Sequence, residues 1–337
     1  MSLPSLQGEL PEGIAARLGL EKTYRGLQIF EGLHRLGKDF AGMTSLPEEL
    51  RSRLQRDYSP FTTRPGTSLS DPDGTVKLRV DLADGAAVEC VLLTDQSGRR
   101  TACLSTQAGC AMGCAFCRTG LLGFHRNLDA AEIVEQYHHL DRAHGPIGNI
   151  VYMGMGEPLM NLENLRRSIE IFIHPRGMAL SLRKMTVSTC GVAPGIVELA
   201  DRGPPVGIAV SLITADEETR KKIMPVTRRW GLAELREAMA YHQKKTGKRL
   251  TLEIVLLKGL NDRPADVRRL LDFVRGLDVI VNLIPWNSVS ELDFREPDEE
   301  TVQMYRRELE SARIPSTRRY RRGRKIGGAC GQLGVVV

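Results

Sequence analysis

The chain reads as an α/β protein whose main body is an open, partial (β/α) barrel of six units, and three observations predict it. From residue 100 onward short apolar runs alternate with amphipathic stretches, six such pairs follow one another, and the segment before residue 70 has a different, helical texture. Parallel strands joined by crossover helices require this alternation. A doubly wound sheet has it too, and periodicity does not separate the two.

Taken in order, "YRGLQIFEGLHRLG" and "SLPEELRSRLQRDY" read as short amphipathic helices joined by "KDFAGMT", forming a small helical domain over 1–70. The turn-rich run "YSPFTTRPGTSLSDPDGT" leads into "VKLRVDLADGAAVECVLLTD", an extended hairpin-like linker within 71–98. The barrel body, 99–312, has strands expected at "TACLST" (101–106), "NIVYMG" (149–154), "KMTVST" (184–189), "VGIAVSL" (206–212), "LTLEIVLL" (250–257) and "VIVNLIPW" (279–286). Helices are expected near 129–143, 161–173, 193–201, 231–246, 264–275 and 298–312. Leu232, Leu235, Ala238 and Met239 recur at helical spacing, and Asp129 and Asn161 stand where N-caps belong. A basic tail, 313–337, closes the chain.

Composition narrows the function. A chain of 337 residues with 42% hydrophobic content has ample material for a globular core. No apolar run approaches the roughly 18 residues of a membrane helix, and "MSLPSLQGELPEG" lacks the pattern of a secretory leader. A cytoplasmic, monomeric protein is expected. Seven cysteines, an odd number, do not form the paired framework of a secreted scaffold, so thiols here are ligands or reagents. The net charge of +6 is concentrated in the tail, where Arg318, Arg319, Arg321, Arg322, Arg324 and Lys325 precede the last cysteine; a polyanion partner fits, as does a solvated basic face.

Cys110, Cys114 and Cys117 have C-x₃-C-x₂-C spacing just past the first barrel strand, where such barrels keep their chemistry. Three thiolates are one short of a closed zinc site, and His125 is the nearest fourth donor. An iron–sulfur cube held by three cysteines leaves one iron open to another ligand. The spacing is the signature of radical S-adenosylmethionine (SAM) enzymes, with Phe116 as the aromatic residue before the third cysteine. "MGMGEP" (153–158) is similar to their GGEP-type motif.

From "YRGLQIFEGLHRLGKDFAGMTSLP" through "CLSTQAGCAMGCAFC", "GFHRNL", "VYMGMGEPLMN", "TVSTCG" and "NLIPWN" to "ACGQL", the chain resembles the RlmN/Cfr-type radical-SAM RNA adenine methyltransferases end to end. The resemblance implies a radical-SAM (β/α)6 core, a 4Fe–4S cluster on Cys110, Cys114 and Cys117, and SAM. It implies that Cys330 becomes S-methylcysteine, that Cys103 forms a transient disulfide with it, and that Glu89 in "AVECVLL" accepts a proton. It implies SAM contacts at Gly156, Glu157, Ser188, Ser211, Leu212, Ile213 and Asn287. The substrate would be adenine C2 or C8 in ribosomal or transfer RNA, with an external electron donor such as a flavodoxin and its reductase. In this scheme Cys330 takes a methyl group from one SAM. A second SAM yields the 5′-deoxyadenosyl radical that turns that methyl into a methylene radical, and Cys103 resolves the protein–RNA adduct.

Three positions depart from the family pattern. Ile213 replaces the histidine of "SLHA", Lys325 stands in place of an acidic residue, and Cys190 occupies the place of a serine or similar small residue. Two other functions fit the scaffold: a radical-SAM enzyme with a non-RNA substrate, and a non-catalytic zinc- or RNA-binding protein.

Overall fold

A computed structural model describes residues 3–319 and 322–334, so Arg321 of the basic run lies outside the described residues. Helices α1 (Pro11–Arg17), α2 (Tyr24–His34) and α3 (Glu48–Asp57) come first, followed by strands β1 (Arg64–Ser70), β2 (Val76–Asp81) and β3 (Ala87–Thr94). The body then runs β4 (Arg100–Cys103), β5 (Gln107–Gly109), α4 (Arg118–Leu121), β6 (Phe124–Asn127), α5 (Ala130–His144), β7 (Asn149–Tyr152) and α6 (Leu162–Ile173). It continues with β8 (Met185–Thr189), α7 (Ala193–Arg202), β9 (Gly207–Ser211), α8 (Glu217–Ile223), α9 (Leu232–Thr246) and β10 (Leu250–Leu256). Last come α10 (Pro264–Phe273), β11 (Val279–Pro285), α11 (Glu299–Ser311) and β12 (Ser316–Arg318).

All six expected strands and their six helices form. The parallel strands lie in the order β4-β7-β8-β9-β10-β11-β12, each beside its successor, with β12 a seventh strand beyond the six. Doubly wound sheets reverse their order at a switch point; this one does not, which decides for the singly wound, open barrel. The hairpin-like segment is part of the same sheet, because β1, β2 and β3 extend it antiparallel from β4. Chain from both sides of the sheet lines one cavity, Val91 and Leu93 on β3 and Thr317 and Arg318 on β12. Arg322 ties the two sides together by donating from Nη1 to the Thr94 carbonyl.

The core lies between the sheet and its helices. Leu232, Leu235, Ala238 and Met239 are buried as their spacing requires. Asp129 caps α5 in a reciprocal capping box with Glu132. Asn161 stands before α6 but does not cap it: its Nδ2 donates to the carbonyls of Thr106 and Leu128 at 2.8 and 2.7 Å, fastening strand ends instead. Among the described residues no helix is long and apolar enough to cross a membrane.

The N-terminal helices dock on α5 through a buried polar seam. His34 Nδ1 lies 3.2 Å from His138 Nε2, and the Thr63 hydroxyl lies 2.9 Å from His139 Nε2 while donating to the Glu135 carboxylate at 2.7 Å. Burial pushes His138 down to about 3, His139 down to about 4 and His34 well below the ordinary histidine value, and it pushes Glu135 up to about 7. The folded seam therefore refuses three histidine protons that the unfolded chain takes up below about pH 6.5. Glu135 opposes this, since its folded carboxyl is protonated earlier than an unfolded one. The balance between pH 6.5 and 5 is about three protons refused against one gained, or about two net, so stability falls on acidification by up to about 3 kcal/mol per pH unit. Urea unfolding across this window checks it; a flat profile would contradict the buried neutral histidines.

Candidate active site

Two adjoining cavities open at the C-terminal ends of the parallel strands, where a (β/α) barrel gathers its loops. The inner one, about 170 Å³, is lined by Cys110, Cys114 and Cys117 together with Gly156, Glu157, Ser188, Ser211, Ile213 and Asn287. The outer one, about 410 Å³, contains Cys103, Thr101, Arg99 and Asn282. Cys330, Cys117, Arg319 and Asn287 line both.

Local sequence shapes the cysteine loop. β5 and β6 form a small hairpin beneath it, and Gly109 permits their close approach, with φ +73° and a Cβ that would stand 2.0 Å from the Gly123 carbonyl oxygen. Cys110 N–H donates to that same Gly123 oxygen at 2.7 Å, and Ala115 N–H donates to the Ile223 carbonyl at 2.9 Å. Burial pushes the Cys110 thiol up to about 12 and raises Cys114 and Cys117 as well. As thiols they are costly to ionise in place, and metal binding would displace their protons.

The donor set suits an iron–sulfur cube: Cys110, Cys114 and Cys117 all line the inner cavity, and thiolates are the ligands such clusters use. His125 is exposed on β6, 3.6 Å from Asp84 Oδ2, and does not line the cysteine cavity. Two buried oxygens without a hydrogen-bond partner among the described residues, Asn287 Oδ1 and Glu253 Oε2, belong to residues of the inner cavity and suit a ligand with amino and hydroxyl groups such as SAM.

Glu157 is fixed by its neighbours. Its carboxylate accepts the Cys190 N–H at 2.8 Å and the Leu159 N–H at 3.2 Å. Its own N–H donates to Gln107 Oε1 at 2.8 Å. Ile213 has φ +64°, a conformation costing a β-branched residue on the order of 1–3 kcal/mol. It is held by its N–H on the Glu253 carbonyl at 3.2 Å and by Asn261 Nδ2 on its own carbonyl at 2.7 Å. Leu212 is the exception among the expected SAM contacts: it is fully buried and lines neither cavity.

Cys103 is buried at the end of β4, where burial pushes its thiol up to about 12, the nearby Cys330 adds to the rise, and Arg319 opposes it. Cys330 is exposed, on a tail segment pinned from several sides. Asn287 Nδ2 donates to the Cys330 carbonyl at 3.1 Å, Arg118 N–H to the Gly331 carbonyl at 2.8 Å, and the Thr119 hydroxyl to the Leu333 carbonyl at 2.6 Å. Asp73, in the β1–β2 turn, accepts the Gly323 N–H at 2.8 Å. The basic run is therefore not one solvated face. Arg318 pairs with Glu299 at 2.8 Å and Arg319 faces the cavities, while Arg324 and Lys325 are exposed.

Glu89 shares the face of β3 that carries Val91 and Leu93, yet it lines neither cavity. Its buried carboxylate pairs with Lys77 Nζ at 2.9 Å and accepts the Gly334 N–H at 2.8 Å.

Arg220 escaped sequence reasoning. Fully buried, it donates to the carbonyls of Leu212 (2.9 Å), Cys190 (2.6 Å) and Ser211 (3.2 Å) and to Thr227 Oγ1 (2.6 Å). It thereby ties together the strand ends that carry the inner cavity. Arg220→Met strands those carbonyls and should cost roughly 3 kcal/mol or more, read as a fall in urea midpoint together with loss of SAM binding. An unchanged midpoint would contradict this role.

The chain matches the model of the radical SAM superfamily over residues 104–274. It is 49% identical to a "Probable dual-specificity RNA methyltransferase RlmN" from Treponema pallidum (strain Nichols), over 98% of this chain and 97% of that protein. It is 40% identical to a protein of the same name from Thermus thermophilus, over 93% and 90%. Its fold is similar to the crystal structure of a radical SAM methyltransferase from Sphaerobacter thermophilus, with TM-score 0.93, 37% identity, and coverage of 98% of this chain and 99% of that one.

Proposed function

Because this chain belongs to the RlmN family within the radical SAM superfamily, we propose that it methylates a ring carbon of adenine, C2 or C8, in ribosomal or transfer RNA with Cys330 as the methyl carrier. The observation that carries this reading is the place of Cys330 on the wall common to both cavities, with Cys103 in the outer one. A methyl donor in the inner cavity and a base in the outer one would each reach the same sulfur.

The first act is displacement: the Cys330 thiolate attacks the methyl of SAM, an S–CH₃ bond forms on Cys330, and S-adenosylhomocysteine leaves. Cys110, Cys114 and Cys117 would hold a 4Fe–4S cluster, whose chemistry would be the one-electron reductive cleavage of a second SAM to methionine and a 5′-deoxyadenosyl radical. Gly156, Glu157, Ser188, Ser211, Ile213 and Asn287 hold SAM in the inner cavity. The S-methyl of Cys330 gives up one hydrogen atom to the 5′-deoxyadenosyl radical, which becomes 5′-deoxyadenosine, and its carbon bonds to the adenine ring. The odd electron left on the ring would return to the oxidised cluster that supplied it, and Glu89, once released from Gly334, accepts the proton of the modified carbon. Cys103 then attacks the Cys330 sulfur as thiolate, so that the S–S bond forms, the S–CH₂ bond breaks, the released carbon takes a proton from solvent and methylated adenine departs. An external donor such as a flavodoxin with its reductase supplies the single electron for SAM cleavage, and an external reductant reopens the disulfide with two electrons. The protein works as a cytoplasmic monomer.

Anaerobic incubation of iron-loaded enzyme with SAM, reductant and RNA, followed by nucleoside mass spectrometry, tests the proposal. Expected are 2-methyl- or 8-methyladenosine together with 5′-deoxyadenosine. 5′-Deoxyadenosine without methylated RNA would favour a non-RNA substrate, and a colourless zinc protein the non-catalytic reading.

A further inference from the structure

Arg319 follows β12 and is set in place by its N–H, which donates to the Leu283 carbonyl at 3.0 Å. Its side chain lies on the wall shared by the two cavities, as Cys330 does, and Cys103 lines the outer one. Among the described residues its Nη atoms meet the Met153 sulfur at 3.5 and 3.6 Å, and Glu253 Oε1 lies 3.8 Å away. Neither fills a guanidinium, because a thioether is a weak acceptor and 3.8 Å exceeds hydrogen-bond length. Glu253 Oε1 is itself engaged by Asn282 Nδ2 at 3.0 Å. A fixed cation with unfilled donors beside two thiols is the complement of a thiolate.

We propose that Arg319 is the positioning cation of the two reagent cysteines, pairing first with the Cys330 thiolate and then, once Cys330 is a neutral thioether, with that of Cys103; this rests on Cys330 being the methyl carrier. Methylation removes the anion from Cys330 and leaves Arg319 with only Glu253, 3.8 Å away and engaged by Asn282. The next thiolate the site can offer is that of Cys103, whose proton leaves to solvent through the outer cavity. The same charge would therefore favour the nucleophile of the first step and the resolving thiolate of the last. Electrostatics agree in direction: the Cys330 and Cys103 sulfurs both hold the Arg319 guanidinium in its charged form.

The test is alkylation of the full-length protein by iodoacetamide at pH 7, following the unmethylated Cys330 peptide by mass. Arg319→Met should slow Cys330 alkylation by about tenfold, because the thiolate is the reacting form and loses its paired cation, and Arg319→Lys should restore much of it. Glu253→Gln removes the competing anion and should speed alkylation, which keeps the test decisive if Arg319→Met fails to fold. Wild-type rates in Arg319→Met, or no acceleration in Glu253→Gln, would overturn the proposal. Where the protein leaves cells fully methylated, methyl occupancy of Cys330 is read instead: low in Arg319→Met, retained in Arg319→Lys, and equal in both if the proposal is wrong. Alkylation needs neither RNA nor SAM, so slow alkylation in Arg319→Met together with RNA left unmethylated by the iron-loaded wild-type enzyme would sink the methyl-carrier reading and leave the charge pairing standing.

Discussion

Cys103→Ala protein purified from cells should arrive covalently joined to RNA. The variant keeps Cys330 and both cavities, so the methyl carrier still forms and still bonds to the base. What it lacks is the thiol that breaks the S–CH₂ bond. The tryptic peptide containing Cys330 should be heavier by one CH₂ plus a nucleotide fragment, and the bound RNA should survive nuclease. Cys330→Ala should show the opposite phenotype, with neither adduct nor methylated RNA, because the thiol that carries the methyl group is gone. The contrast separates the two roles. Cys103 is buried beneath the outer cavity while Cys330 is exposed on the tail, so a merely structural function for either predicts loss of stability, not an adduct in one variant alone.

Cys114→Ala should lose nearly all its iron, from about four atoms per chain in a loaded cube. The loop holds Cys110 and Ala115 by backbone hydrogen bonds to Gly123 and Ile223, so removing the middle thiol leaves the loop in place and deletes only a ligand. Two thiolates rarely retain a cube. Production of 5′-deoxyadenosine should vanish with the iron, while the urea midpoint of iron-free protein changes little. Full iron content in this variant would refute the three-cysteine site.

Much of this architecture was legible because the signals were local. Six strands and their helices announced themselves through periodicity, and the cysteine spacing marked the first loop of the barrel. What escaped depends on distant contacts. β12 is three residues long and exists because β11 offers it a parallel edge. In α8 only Arg220 and Ile223 are buried, so no apolar stripe betrays the helix. Arg220 looks like an ordinary surface cation, since nothing within a few residues of it reveals that it binds strand-end carbonyls, and nothing in the basic run before Cys330 distinguishes Arg319 from its neighbours as the one that faces the thiols. Leu212, which the resemblance offers as a SAM contact, follows the last residue of β9 with its side chain fully buried, lining neither cavity. Glu89 was placed correctly on its strand, while the Lys77 and Gly334 that hold it come from 12 positions before and 245 after.

The most direct measurement uses SAM whose methyl group is fully deuterated, with nucleoside mass spectrometry of the RNA and of the 5′-deoxyadenosine released. If the carbon passes through Cys330 and loses one hydrogen there, the methyladenosine must carry two deuterium atoms and one protium, and the third deuterium must appear in 5′-deoxyadenosine. A methyl group arriving with all three deuterium atoms, beside unlabelled 5′-deoxyadenosine, would mean direct transfer from SAM to RNA and would contradict the carrier role of Cys330.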